Sequence, residues 1–147
     1  MGKTFSCIII LLASSLCFAH KATAGIFRSD IVIAGGGTSG VTAAVQAARL
    51  GASVVVVEQT TWLGGMLTAA GVGAVDGNYN MPAGLWGEFR DSLAAHYGSL
   101  EALKTGWVSN VMFEPSVGNR IFHNMVAKEK GVTLWTGSEV KAVSHNG

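Results

Sequence analysis

Apolar positions along the chain follow two different periods. Residues 30–34 (Asp30, Ile31, Val32, Ile33, Ala34) and 53–58 (Ser53, Val54, Val55, Val56, Val57, Glu58) are short runs rich in β-branched side chains. Such runs predict strands buried in a parallel sheet. Between them, residues 41–50 (VTAAVQAARL) form an alanine-rich helical pattern that Gly51 closes. Residues 30–58 therefore predict one β-α-β unit. After a glycine-rich irregular stretch over 59–80, Pro82 is placed to open a helix, and Leu85, Phe89, Leu93 and Tyr97 give it one apolar face. A further helix is expected from Pro115, with Val117, Ile121, Phe122 and Met125 inward and Gly131 at its end. Residues 132–135 predict a third strand, and the alternation over 138–144 predicts a fourth. Asn146 and Gly147 make a hairpin-turn dipeptide with no returning strand after it. The alternation of elements gives an α/β class. The unfinished hairpin gives the expectation that these residues are the front part of a longer protein or a truncated product.

The first residues read as an address label rather than as fold. Lys3 gives a small positive region, residues 5–19 are apolar, and Ala22, Thr23 and Ala24 supply a small-x-small cleavage pattern. A signal peptide over residues 1–24 is the expectation, with cleavage after Ala24 and Ala19 as second choice; the alternative is an uncleaved N-terminal anchor. Cleavage implies export to the periplasm or the medium. Cys7 and Cys17 would leave with the leader, so the mature chain has neither a disulfide nor a thiol nucleophile. Redox chemistry then has to come from a bound cofactor.

Charge narrows the partners. Ten Lys+Arg against nine Asp+Glu give the full chain a net charge of +1, and no basic cluster is present. Nucleic acid is excluded as a partner on that ground. Beyond the leader, no apolar run is long enough to span a membrane.

The most informative residues are Gly35, Gly36, Gly37, Thr38, Ser39 and Gly40, a G-x-G-x-x-G run that follows a strand and opens a helix. That context is the one a dinucleotide-binding, Rossmann-like unit requires. Gly35 makes the tight turn, Gly37 leaves room for a pyrophosphate at the backbone, and Gly40 lets the helix pack close to the strand. Unpaired N–H groups at the helix start favour the diphosphate. Glu58, 18 residues beyond Gly40 and at the end of the second strand, is placed to accept hydrogen bonds from ribose hydroxyls and to repel a 2′-phosphate. The fingerprint alone leaves FAD and NAD both open.

Trp62, Leu63, Gly64, Gly65 and Met66 follow the second strand closely. This double glycine resembles the second FAD motif of the glutathione-reductase-like flavoproteins. The stretch GGGTSGVTAAVQAARLGASVVVVEQTTWLGGMLTAAGVGAVDG resembles the start of the FAD-dependent oxidoreductase family, and residues 113–143 resemble it as well. The resemblance implies an FAD-binding domain that is incomplete here, because the late Gly-Asp motif and the domain covering the flavin ring are not in the chain. It implies diphosphate contacts from Gly35, Gly37, Thr38, Ser39 and Gly40, and ribose contacts from Glu58 with Gln59 beside it. Gly64, Gly65 and Met66 would run along the flavin, and Val140 would offer its backbone to the adenine. The activity implied is oxidation of a small organic substrate, with the flavin accepting a hydride. A non-catalytic dinucleotide-binding module and an NAD-binding domain are the alternatives.

No other constellation carries chemistry. His20, His96, His123 and His145 lack metal-ligand spacing, so no metal is expected. His96 and His123 read as helix-face residues and His145 as a surface one. Trp62, Trp86, Trp107 and Trp135 read as packing residues, and Asp76, Gly77 and Asn78 as a plain turn.

Overall fold

The computed structural model describes residues 25–77 and 80–145. The expected leader with Cys7, Cys17 and His20, residue Asn78 of the expected 76–78 turn, and the terminal Asn146 and Gly147 lie outside the described residues.

The chain runs β1 (Ile31–Ala34), α1 (Thr38–Arg49), β2 (Val54–Val57), a 3₁₀ turn at Gly65–Leu67, α2 (Gly84–Tyr97), a second 3₁₀ turn at Glu101–Leu103, α3 (Pro115–Ala127) and β3 (Val132–Trp135). The three strands form one parallel sheet in the order β1-β2-β3. Ile31 stands opposite Val54 and Val54 opposite Val132, so the strand ends align across the sheet. This is the predicted Rossmann-like α/β architecture with its β-α-β unit.

Burial follows from the order of strands. All four valines of β2 are buried because strands flank it on both sides. Val54 and Val56 pack with Ala44 of α1, together with Ile33, Val132 and Leu134. The opposite sheet face is thinly covered: Phe27 meets Trp135 edge-on, with ring centroids 5.2 Å apart. β1 was expected to be buried, yet Val32 is 63% exposed. It is an edge strand among the described residues, with β2 as its one partner.

The second cluster joins the helices. Phe89 of α2 stacks on Phe122 of α3 at 4.5 Å, and Leu93, Val117, Ile121 and Met125 fill the space around them. Both expected apolar faces are thus formed, but their ends differ from expectation. α2 starts at Gly84 rather than Pro82, because the chain turns at Gly84 with φ of +69°. α3 stops at Ala127, well before Gly131. Gly131 serves a close approach instead: a Cβ there would lie 2.9 Å from the Ala52 carbonyl oxygen. The fourth strand does not form. Residues 136–145 cross the end of β2, where Ser138 N–H donates to the Glu58 carbonyl.

Arg49 ties the helices together from outside. Its guanidinium pairs with both Glu88 oxygens, at 2.6 and 2.9 Å, and with Glu129 at 2.8 Å. Both partners raise its already high pKa, with Glu88 the larger influence. The Arg49 and Glu88 side chains are 34% and 45% exposed, so water screens the pair. Arg49→Ala is expected to lower stability by about 1 kcal/mol, a fall in Tm of about 4 °C that shrinks in high salt. A thermal melt at low and high salt checks both parts.

Candidate functional site

The site begins where β1 ends. Gly35 takes φ of +100°, a value open to glycine, and its N–H donates to the Val57 carbonyl at 2.8 Å, which extends the sheet into the turn. Gly37 is the N-cap of α1 and no side chain caps the helix. The helix thus starts at Thr38, inside the glycine run, rather than at Val41. A Cβ placed on Gly37 would meet nothing within 4 Å, whereas one on Gly40 would lie 2.0 Å from the Gly35 carbonyl oxygen. The first glycine turns the chain, the second leaves open space beside the helix start, and the third lets α1 press on the turn.

Glu58 is locked to this bend. Its Oε2 accepts the Gly36 N–H at 2.7 Å, while Oε1 accepts the Thr60 N–H and hydroxyl, each at 2.8 Å. An ionised carboxylate offers about four accepting positions, so one stays available to a sugar hydroxyl. Burial pushes the Glu58 pKa up, but the N–H groups of Thr60, Gly36 and Gln59 and the Thr60 hydroxyl together hold it below the usual carboxylate range. A carboxyl whose folded pKa lies below its unfolded value stabilises the fold above the unfolded pKa, and that contribution is lost as pH falls through the folded one. Denaturant midpoints should accordingly fall below about pH 5 in the wild type and fall less in Glu58→Gln. Equal acid limbs in the two proteins would remove Glu58 from the account.

Glu58 also borders a cavity of about 300 Å³, at the small end of the range of ligand pockets. Ala34 at the end of β1 and Gly35 in the turn after it line one side, and Val57 and Gln59 flank Glu58 on the second side. The returning segment closes it with Ser138, Glu139 and Val140. Four expected site residues, Gly35, Glu58, Gln59 and Val140, therefore meet around one space. A larger cleft of about 520 Å³ lies between α2 and α3, beside His96 and Arg120, and touches none of them.

The second glycine loop lies on the first. Gly64 N–H donates to the Gly36 carbonyl at 2.8 Å, and the Thr38 hydroxyl donates to the Gly64 carbonyl at 2.8 Å. Gly65 approaches so closely that a Cβ there would lie 3.2 Å from the Gly37 Cα. Ser39 is exposed at the start of α1, and Met66 is 70% exposed beyond the loop.

Sequence reasoning missed several of these partners. Gly36, treated as a spacer, supplies the donor that fixes Glu58, and Thr60 supplies two more. Asn119 on α3 accepts the Leu63 N–H at 2.8 Å from 56 positions away, a separation that no local pattern signals. Among the histidines, His123 Nε2 lies 3.2 Å from the Thr61 carbonyl, and His96 packs edge-on to Tyr97. His145 is exposed. Trp107, expected to pack, is 96% exposed in the loop after the second 3₁₀ turn. Among the described residues no group of His, Cys, Asp or Glu could hold a metal, and no helix is long and apolar enough to cross a membrane.

A parallel sheet, a glycine bend opening a helix and an acid at the end of the next strand define a dinucleotide-binding protein of the Rossmann type. Comparison with known proteins sharpens that class. Residues 30–147 match the sequence pattern of the FAD dependent oxidoreductase family. The chain belongs to that family, and FAD is its cofactor. A thiamine thiazole synthase from Aeropyrum pernix is 48% identical over 44 residues, which are 30% of this chain and 16% of that protein. The crystal structure of AlpK superposes with a TM-score of 0.51 at 21% identity, covering 84% of this chain and 26% of that one. That likeness shows the fold. The crystal structure of Thermovibrio ammonificans THI4 has a TM-score of 0.43 at 17% identity, covering 74% of this chain and 38% of that one. The chain thus spans well under half the length of each of these proteins.

The cradle fits the cofactor. Open space at Gly37 and the uncapped start of α1 suit a diphosphate, and the 300 Å³ cavity beside Glu58 suits an adenosine.

Proposed function

We propose that this chain holds FAD by its ADP half in an exported oxidoreductase, with the flavin accepting a hydride from a small organic substrate. The observation that carries the reading is the bend at residues 35–40, open at Gly37 and joined to Glu58 through the Gly36 N–H. The N–H groups of Thr38, Ser39 and Gly40 stand at the start of α1, where the helix dipole favours an anion. The Glu58 carboxylate, held ionised by its three donors, takes a ribose hydroxyl and repels a 2′-phosphate. Gln59 and the Val140 backbone complete the adenosine end of the cavity. Gly64, Gly65 and Met66 carry the flavin side. FAD supplies the hydride-accepting chemistry when bound, and the protein supplies placement and exclusion of water.

The hydride step is tested with the FAD-loaded protein under anaerobic conditions and a panel of small alcohol and amine donors. Bleaching of the flavin's visible band, slowed by deuterium at the donated position, supports it. Bleaching by every active donor without an isotope effect in a single turnover contradicts it.

Export rests on the apolar run over residues 5–19 and the Ala22, Thr23, Ala24 pattern. N-terminal sequencing of protein recovered outside the cytoplasm is expected to begin at Gly25. A mature N-terminus at Met1 contradicts cleavage.

A further inference from the structure

The loop at residues 61–66 is gripped from two sides. One side is the glycine bend, through the Gly64 bonds to Gly36 and Thr38. The other is α3, where Asn119, Phe122 and His123 share one helix face at spacings of three and four residues. Asn119 Oδ1 accepts the Leu63 N–H at 2.8 Å, and Leu63 itself is fully buried. The Phe122 ring leaves no room beside Gly64, since a Cβ there would lie 2.6 Å from it. His123 reaches the Thr61 carbonyl. Thr68 fixes the other end of the Leu63 peptide by donating its hydroxyl to the Leu63 carbonyl at 2.6 Å.

We propose that Asn119 is a positioning residue for FAD, acting through the Leu63 peptide to hold Gly64 and Gly65 against the glycine bend. The inference rests on the FAD reading given above. Its physical basis is asymmetry. A buried N–H that loses its acceptor is strongly disfavoured, so without Asn119 the peptide must turn or let water in. The segment that turns is the one the Thr38 hydroxyl and Gly36 carbonyl grip, so the two glycine loops lose register. The adenosine cavity shares no lining residue with this loop; the two are linked through Thr60, which bonds both Trp62 and Glu58. Loss of Asn119 therefore weakens the hold on the flavin half of the cofactor more than the hold on the ADP half, a difference that a general loss of stability would not produce.

The test compares wild type, Asn119→Ala and Asn119→Asp as full chains. Amide hydrogen exchange at Leu63 is read without cofactor, and affinities for FAD and for ADP are read by calorimetry, with Tm alongside. Asn119→Ala is expected to speed Leu63 exchange about tenfold and weaken FAD about tenfold, with ADP affinity changed less than about twofold. Asn119→Asp keeps an acceptor oxygen and restores both values. Unchanged exchange and FAD affinity in Asn119→Ala overturn the proposal, and so does an equal loss of FAD, ADP and Tm. A wild type that protects Leu63 but binds neither ligand overturns the FAD reading itself, and the positioning role with it.

Discussion

Gly37→Ala should leave the protein folded and unable to hold FAD. The added methyl would point into space with nothing within 4 Å, and Gly37 already has φ of −62° and ψ of 177°, which alanine adopts without strain. Replacing glycine at such a position reduces the freedom of the unfolded chain, so stability should be equal or higher by up to about 1 kcal/mol. The space the methyl takes is the space proposed for the diphosphate at the start of α1. FAD affinity should drop at least about 100-fold, or about 2.7 kcal/mol. Thermal melts and calorimetric titration read the two effects separately. FAD affinity within about threefold of wild type would mean that the diphosphate does not lie there.

Gly40→Ala, three positions on, should act in the opposite way. Its Cβ would lie 2.0 Å from the Gly35 carbonyl oxygen and 3.3 Å from Ile33 Cγ2. The first of these is backbone and has no rotamer to yield. α1 must then move off β1, and it carries Val41, Ala44 and Val45, each fully buried, with it. Overpacking of this kind destabilises by about 3 kcal/mol, which lowers Tm by more than about 10 °C in a domain of this size. FAD binding is lost through the fold. A Tm equal to wild type in Gly40→Ala would show that the helix and turn are not in contact. The contrast between two methyl groups in one motif separates space kept for a ligand from space closed by packing.

The β-α-β unit was legible because each of its residues answers to a local constraint. β-branched runs, an alanine-rich helix and glycines at fixed offsets leave few other conformations for residues 30–58. The apolar faces of α2 and α3 were legible for the same reason, through the spacing of Phe89 and Leu93 and of Ile121 and Met125. What the sequence concealed depends on distant neighbours. The exposure of Val32 depends on which strands flank β1, which its own residues do not state. The alternation over 138–144 makes a strand only where it pairs with a neighbour; here Ser138 bonds the Glu58 carbonyl, Gly137 just before it bonds the Thr60 carbonyl, and the segment closes a cavity instead. In the site, the positions of Gly35, Gly37 and Gly40 could be assigned from backbone requirements alone. The Gly36 bond to Glu58 and the Asn119 bond to Leu63 could not, because each joins segments that meet in the folded chain alone.

The central claim is that a glycine bend and an ionised acid together receive a dinucleotide lacking a 2′-phosphate. One competition experiment addresses it: the chain is titrated with FAD, then with ADP and with adenosine 2′,5′-bisphosphate as competitors. The account predicts saturable FAD uptake at one site per chain, displacement by ADP and none by the bisphosphate. Displacement by the bisphosphate as strong as by ADP, or no FAD uptake at all, would contradict it.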